Sequence, residues 1–335
     1  MKVSVVMPVY NKAPFLREAV DSILGQTFKD FDLICVDDKS TDNSLDVLRS
    51  FQDPRLRIIE LPVNGGPGIA ANAGLDAAHS EYIVRMDADD IAVPERIALQ
   101  VAFMDAHPEI GASGGQLQLF GTEQEPWKFA LAPETCAAQL VFGVPVAQPA
   151  SIMRRSVLEA HGLRYGKDWP RIGEDWLLWL QMAPHTRFAN LPEVLIYYRR
   201  GEQNIAHGSD KVANFTALQA QVFTALGIPF TEEELDLSIM GLSLFKERPT
   251  PTRITALRRW YDQLMRLNGT LRFAPQAAFR ARVEQQWDKL FHYLPRYGWA
   301  PAWAHLRASG HMNAAHLAYA LKYRINARLG KLPNG

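Results

Sequence analysis

The sequence predicts an α/β fold, a mostly parallel sheet covered by helices, with an appended C-terminal helical region. Three observations carry this. Short apolar runs alternate with helix-like segments from Lys2 to Met86, and alternation at that spacing builds parallel sheets with both faces covered. A polar cluster follows each apolar run. From about Ser209 the strand-like runs stop, and apolar residues recur at helical spacing.

Taken in order, Lys2 to Met7 reads as a buried strand, with Pro8-Val9-Tyr10-Asn11-Lys12 as the loop after it. Pro14 suits the first turn of a helix running to about Gln26. Phe31 to Val36 is a second strand, closed by Asp37-Asp38-Lys39-Ser40-Thr41-Asp42, and a helix with Leu45, Val47 and Leu48 follows. Leu56 to Leu61, the loop Asn64 to Gly68 and the helix Ile69 to Ala78 form the next unit. Tyr82 to Met86 is the fourth strand, and Pro94 opens a helix to about His107. Gly111 to Phe120, Val144 to Met153 and Phe188 to Tyr198 read as later strands, with helices at Arg155 to His161 and after Gly173. Val212, Phe215, Gln219, Val222 and Leu226 then follow a helical period, as do Ile254, Leu257, Tyr261 and Leu264, and Val283, Trp287, Leu290 and Leu294. The domain expectation is 1–208 for the α/β unit and 209–335 for the helices. Pro249-Thr250-Pro251 stands out as a linker candidate.

At 335 residues, with 47% hydrophobic and 21% charged, the composition is that of an ordinary globular chain. Cys35 and Cys136 offer no disulfide framework, which fits a reducing cytoplasm. The apolar stretch Met1 to Val9 is interrupted by Pro8 and Asn11 too early for a signal-peptide core. No run approaches the ~20 apolar residues of a membrane span. The formal net charge of zero hides an asymmetry: residues 251–335 hold 14 Lys/Arg against 3 Asp/Glu, and the first 250 hold 22 against 33.

In a parallel sheet, ligands bind beyond the carboxyl ends of the strands. Tyr10-Asn11, Asp37-Asp38, Asn64 to Gly68 and Asp87-Ala88-Asp89-Asp90 all fall at such ends. Three carboxylates within four residues repel one another and call for a cation among them. Mn²⁺ or Mg²⁺ suits hard oxygen donors that share the ion with substrate phosphates. The plain alternative is a polar turn in which Asp90 caps the next helix. Glu174 and Asp175 follow Gly173 at a helix start, where carboxylates either favour the dipole or supply a general base.

Val3 to Asn11, Val36 to Asp42, Asp87-Ala88-Asp89-Asp90 and Gly173-Glu174-Asp175, with Ser22 to Phe28 and Asn72-Ala73-Gly74, resemble family 2 of the inverting glycosyltransferases. The resemblance covers roughly 1–205 and does not reach the C-terminal helices. It implies a GT-A fold and a nucleotide-diphosphate sugar donor, with UDP-sugars first. It further implies that Pro8, Tyr10 and Asn11 line the nucleotide, that Tyr10 lies against the base, and that Asp38 bonds the ring edge. Asp89 would bind Mn²⁺ or Mg²⁺, with Asp87 near the ribose or a metal-bound water. Asp175 would be the base for the acceptor hydroxyl, with Glu174 second. The acceptor expected beside such a donor is a glycan or lipid-linked glycan, in surface polysaccharide biosynthesis, although its identity is not written in the sequence. One departure is the stretch after Tyr198-Arg199-Arg200. No histidine follows at the family's spacing, and His207 comes too late, so a further diphosphate contact is either absent or supplied by Arg199 or Arg200.

A dinucleotide-binding dehydrogenase would want Gly-x-Gly-x-x-Gly after the first strand, and Pro8 to Lys12 has no glycine. A pyrophosphorylase would carry a Gly- and basic-rich loop there. A non-catalytic nucleotide-sugar or glycan-binding module stays as the alternative. For the basic stretch 251–335, with Trp260, Trp287, Trp299 and Trp303, the expectation is an anionic membrane surface on the inner face of the cytoplasmic membrane, and the plain alternative is a small helical bundle with a solvated basic face. Nucleic acid is set aside, because the acidic body would repel it.

Overall fold

A computed structural model describes residues 1–202, 204, 208–309 and 314–328. They divide into two compact units, Met1–Gly208 and Ser209–Gly335. His207, singled out above, lies outside the described residues.

The first unit runs β1 (Val3–Val9), α1 (Ala13–Leu24), β2 (Phe31–Asp37), α2 (Ser44–Arg49), β3 (Leu56–Glu60), α3 (Pro67–Ala77), β4 (Tyr82–Arg85), β5 (Ile91–Ala92) and α4 (Arg96–Ala106). It continues with β6 (Ile110–Gly121), β7 (Pro126–Trp127), α5 (Pro133–Gln139), β8 (Ile152–Arg154), α6 (Arg155–Ala160), α7 (Glu174–Met182) and β9 (Arg187–Arg200). The sheet order is β3-β2-β1-β4-β8-β6-β9-β5, with β7 on β6. Strands β3, β2, β1 and β4 are parallel, as are β6 and β9. The short β8 joins the two sets by pairing antiparallel with both β4 and β6.

Register explains where the polar clusters go. Val9 pairs with Asp37, Asp37 with Glu60, and Val6 with Arg85. Residues 10–13, 38–44 and 86–90 therefore leave one edge together. β1 and β2 are buried almost end to end, as expected for strands covered on both faces. α1 lays Leu16, Ala19, Val20 and Ile23 on the core. Gln26, buried just beyond it, donates to Val93 O (2.7 Å) and accepts from Ile97 N (3.0 Å), fixing the entry to α4.

Two stretches depart from expectation. Val144 to Met153 forms a strand only from Ile152; before it come a buried coil and a single 3₁₀ turn, Gln148–Ala150. Pro145 and Pro149 lack the N–H a ladder needs. Pro249-Thr250-Pro251 is no linker: Thr250 caps a helix by accepting from Arg253 N, and Pro251 is its first residue.

The second unit comprises α8 (Lys211–Ala225), α9 (Glu232–Gly241), α10 (Pro251–Leu271), α11 (Gln276–Phe291), α12 (Trp299–Ala308) and α13 (Ala314–Arg328). Trp260 and Trp287 are core residues, not headgroup residues: their indole N–H groups donate to Ser238 Oγ (2.6 Å) and Ser309 Oγ (2.8 Å). The buried His305 ring stacks on Trp287 at 4.1 Å, and burial lowers its pKa to about 4. Among the described residues no helix is long and apolar enough to cross a membrane.

Gly74 tests the packing of α3 on the sheet. A Cβ there would lie 2.3 Å from Val6 Cγ1 in the central strand. Gly74→Val should lower the urea unfolding free energy by roughly 3 kcal/mol. Gly269→Ala in α10, where a Cβ meets nothing within 4 Å, should raise it by up to ~1 kcal/mol.

Candidate active site

The turn after β4 closes with Asp90 N donating to Asp87 O. Its negative charge is met by cations from the chain itself. Lys12 Nζ lies 2.6 Å from Asp89 Oδ2. Arg199, on β9, donates its backbone N–H to Asp90 Oδ1 (2.8 Å) and its Nε–H to Asp89 O (2.9 Å). Its guanidinium lies against Phe15 and Phe120 and pairs with Glu18. Arg200 pairs with Glu123. Both arginines proposed for a diphosphate are thus engaged in holding loops.

Arg85 and Arg96 are fully buried and act electrostatically on Asp87. Arg85 donates to Val6 O, and Arg96 to Arg85 O (2.6 Å). Even so, burial and the neighbouring carboxylates hold Asp87 and Asp90 above the ordinary carboxylate range. Asp90 Oδ2 is buried without a partner among the described residues. Asp90 ties the turn to β9 and does not cap α4, whose N-cap is Glu95.

Asn11 has φ +51°, a left-handed position that Asn tolerates well. Its Oδ1 accepts from Thr41 N (2.8 Å), Thr41 Oγ1 and Asp42 N, and its own N–H donates to Ser40 Oγ. The side chain therefore joins the loops after β1 and β2. Asp38 is buried, and its carboxylate accepts from Gly65 N (2.7 Å) and Gly66 N (2.8 Å). Burial raises its pKa against those two bonds. Arg171 donates to Asn64 Oδ1 and completes this corner. Tyr10 is 42% exposed and offers an open ring face. Pro8 is half-buried within β1.

Gly173, at φ +83°, turns the chain into α7, and Trp176 anchors the first turn by donating to Leu140 O. Glu174 is buried and Asp175 partly so. Burial raises both carboxyls first, and Asp87 adds repulsion to each. Glu174, Asp175 and Asp87 therefore lie near enough to act on one another electrostatically. Arg85 acts on the same carboxylates and on the buried Tyr165, whose hydroxyl accepts from Gln148 Nε2 at 2.7 Å.

Sequence reasoning anticipated a cation among the aspartates but not that Lys12, Arg85 and Arg96 would supply so much of it. The available signal was the lysine directly after Asn11 and an arginine two residues into α4's approach from Pro94. Among the described residues no group of three or more His, Cys, Asp or Glu is arranged to hold a metal. Two carboxylates still match an ion that takes its remaining oxygens from substrate phosphate and water.

Parallel strands feeding an acidic turn, a corner of three stitched loops and a carboxylate pair at a helix start make up a GT-A fold. Residues 4–162 match the family model for glycosyl transferase family 2. Two uncharacterized glycosyltransferases of Haemophilus influenzae are 31% and 32% identical over 210 and 206 residues, covering 59% and 60% of this chain. The matched stretch spans 65% of one relative and 77% of the other. The chain belongs to glycosyltransferase family 2. Its fold is shared with S. aureus TarS 1–349 in complex with UDP-GlcNAc (TM-score 0.59, 20% identity, 97% of this chain and 92% of that one). It is also shared with the mannosyltransferase PcManGT of Pyrobaculum calidifontis in complex with GDP-Man and Mn²⁺ (TM-score 0.54, 18% identity, 98% and 83%).

Asn11→Ala should lower unfolding free energy by ~1–3 kcal/mol, by removing the inter-loop bonds and straining a left-handed backbone. Asn11→Gly loses the same bonds without the strain, so chemical denaturation should place it between Asn11→Ala and the parent.

Proposed function

We propose that the chain is an inverting glycosyltransferase that moves a hexosyl or N-acetylhexosaminyl group from a nucleotide-diphosphate donor, UDP-sugars foremost, to a hydroxyl of a glycan or lipid-linked glycan. The observation that carries this is the electrostatic neighbourhood shared by Asp87 and the Glu174–Asp175 pair at the carboxyl edge of the sheet. Donor-side and acceptor-side chemistry need that proximity. Neighbours of the same fold hold UDP-GlcNAc and GDP-Man, so the fold accommodates such donors. Surface polysaccharide assembly at the inner face of the cytoplasmic membrane fits a chain with basic C-terminal helices.

Tyr10 stacks on the base, and Pro8 and the loop stitched by Asn11 line the nucleotide. Asp38 both shapes the Gly65–Gly66 corner and presents its remaining lone pairs to the ring edge. Asp175 accepts the proton of the acceptor hydroxyl as that oxygen bonds to the anomeric carbon. The bond from that carbon to the diphosphate breaks on the opposite face, which inverts the configuration. Glu174, more deeply buried, is the second candidate for base. Asp89 and Asp87 would hold Mn²⁺ or Mg²⁺, which supplies positive charge for the departing diphosphate. Lys12 provides charge at the same carboxylate from within the chain.

Turnover of a nucleotide-sugar panel, followed without acceptor, tests the activity and separates it from a binding module that hydrolyses nothing. Excess chelator should stop it, and Asp89→Ala should nearly abolish it while the variant stays folded; full turnover in chelator would sink the metal assignment. Asp175→Asn should cut transfer by ~10²-fold or more with donor affinity little changed.

The base works only when deprotonated, so a raised pKa puts the loss of activity on the acid side. In the parent, kcat/KM should fall on acidification at a pH above the ordinary carboxylate value of about 4. If Glu174→Gln is the crippled variant and Asp175→Asn keeps the parental profile, the pair is assigned the wrong way round.

A further inference from the structure

The last acidic residue of the chain is Asp288; from Lys289 to Gly335 there are seven Lys/Arg and no Asp or Glu. The described part of this stretch has a distinct inside and outside. Inside, Pro301, Ala302, His305 and Leu306 of α12 are buried, as are His316 and Ala320 of α13. Ring stacking fastens both helices to α11: His305 on Trp287 at 4.1 Å and His316 on Phe291 at 4.4 Å. These helices already have a core-facing side.

Their outer side carries what a solvated face would avoid. Trp299 and Trp303 are 38% and 42% exposed, and with Arg307 they sit one turn apart along α12. Leu321 and Ile325 are 55% and 56% exposed, one turn apart on α13, with Lys322 and Arg324 exposed beside them. Arg324 lies over the Trp299 ring at 5.7 Å and Arg307 over Trp303 at 5.5 Å. The first contact joins the stripes of the two helices into one patch. By contrast Arg258, on α10, is spent on Glu284 and Asp262 within the unit.

We propose that the outer face of α12 and α13 docks on an anionic phospholipid leaflet. Tryptophans and guanidiniums suit the headgroup level, and the aliphatic side chains reach the acyl boundary. The uniform positive charge argues against a second copy of the same face, which would meet its own sign. Leucine and isoleucine give nothing to a nucleic acid. The inference goes beyond sugar transfer and does not depend on it, since docking is measured without donor or acceptor.

The test uses the full chain and sedimentation with phosphatidylcholine vesicles, with and without an equal part of phosphatidylglycerol. Binding should require the anionic lipid and weaken with salt. Each basic side chain near the surface is worth about fivefold in partitioning. Arg307→Gln with Lys322→Gln and Arg324→Gln should therefore weaken binding by about a hundredfold. Trp299→Ser, Trp303→Ser, Leu321→Gln and Ile325→Gln together should reduce binding to the salt-sensitive remainder. Unchanged helical circular dichroism would show that either variant is folded. A measurement on the parent needs no variant: brominated phosphatidylglycerol should quench part of its tryptophan emission. A parent that ignores anionic vesicles at low salt, or variants that bind like it, would overturn the proposal. So would an apolar variant that turns a dimer into a monomer and leaves vesicle binding intact, because the face would then belong to a second copy.

Discussion

Concentrated negative charge at one edge of a low-dielectric sheet is the constraint on which the first unit depends. Three aspartates on one turn and two acidic residues on a nearby helix start would repel strongly if left alone. The chain answers with two buried guanidiniums, Arg85 and Arg96, and with Lys12 on Asp89. Burying arginine is costly unless its donors are satisfied. Val6 O takes one donor of Arg85 and Arg85 O one of Arg96, so the buried cations are held in part by backbone carbonyls of the same strands that aim the turn. Fold and site share these atoms.

The far side of the site is held by length. β9 runs for 14 residues, and only near its end does Arg199 meet Asp89 and Asp90. Arg199 thereby connects the turn to α1 through Phe15 and Glu18. On the other flank, Asn11 and Asp38 tie three loops into a corner through backbone amides. Several residues suited to touching a nucleotide thus also hold the loops in place.

Much of this was legible in the sequence. β1 to β4, the helices between them and the acidic clusters follow from apolar runs punctuated by polar loops, because both faces of the sheet are covered and local pattern equals burial. Gly173 and the pair after it read correctly as a helix start. Less legible was anything set by pairing across the chain. Val144 to Met153 looks like a strand by hydrophobicity, but Pro145 and Pro149 decide against a ladder. Asn11 looks like a ligand-facing residue, yet its Oδ1 is committed to Thr41 and Asp42. Trp260 and Trp287 counted as surface tryptophans only while their partners Ser238 and Ser309 were unknown. Composition reports that such residues exist and not which way they face.

The ammonium of Lys12 on Asp89 has a stoichiometric consequence. The carboxylate holds a counterion before any ligand arrives, so a second cation at Asp89 Oδ2 enters by exchange and not by simple addition. The displaced ammonium stays tethered to the loop after β1, so a divalent newcomer adds its whole charge to this edge, and the surplus favours an anion that arrives with it.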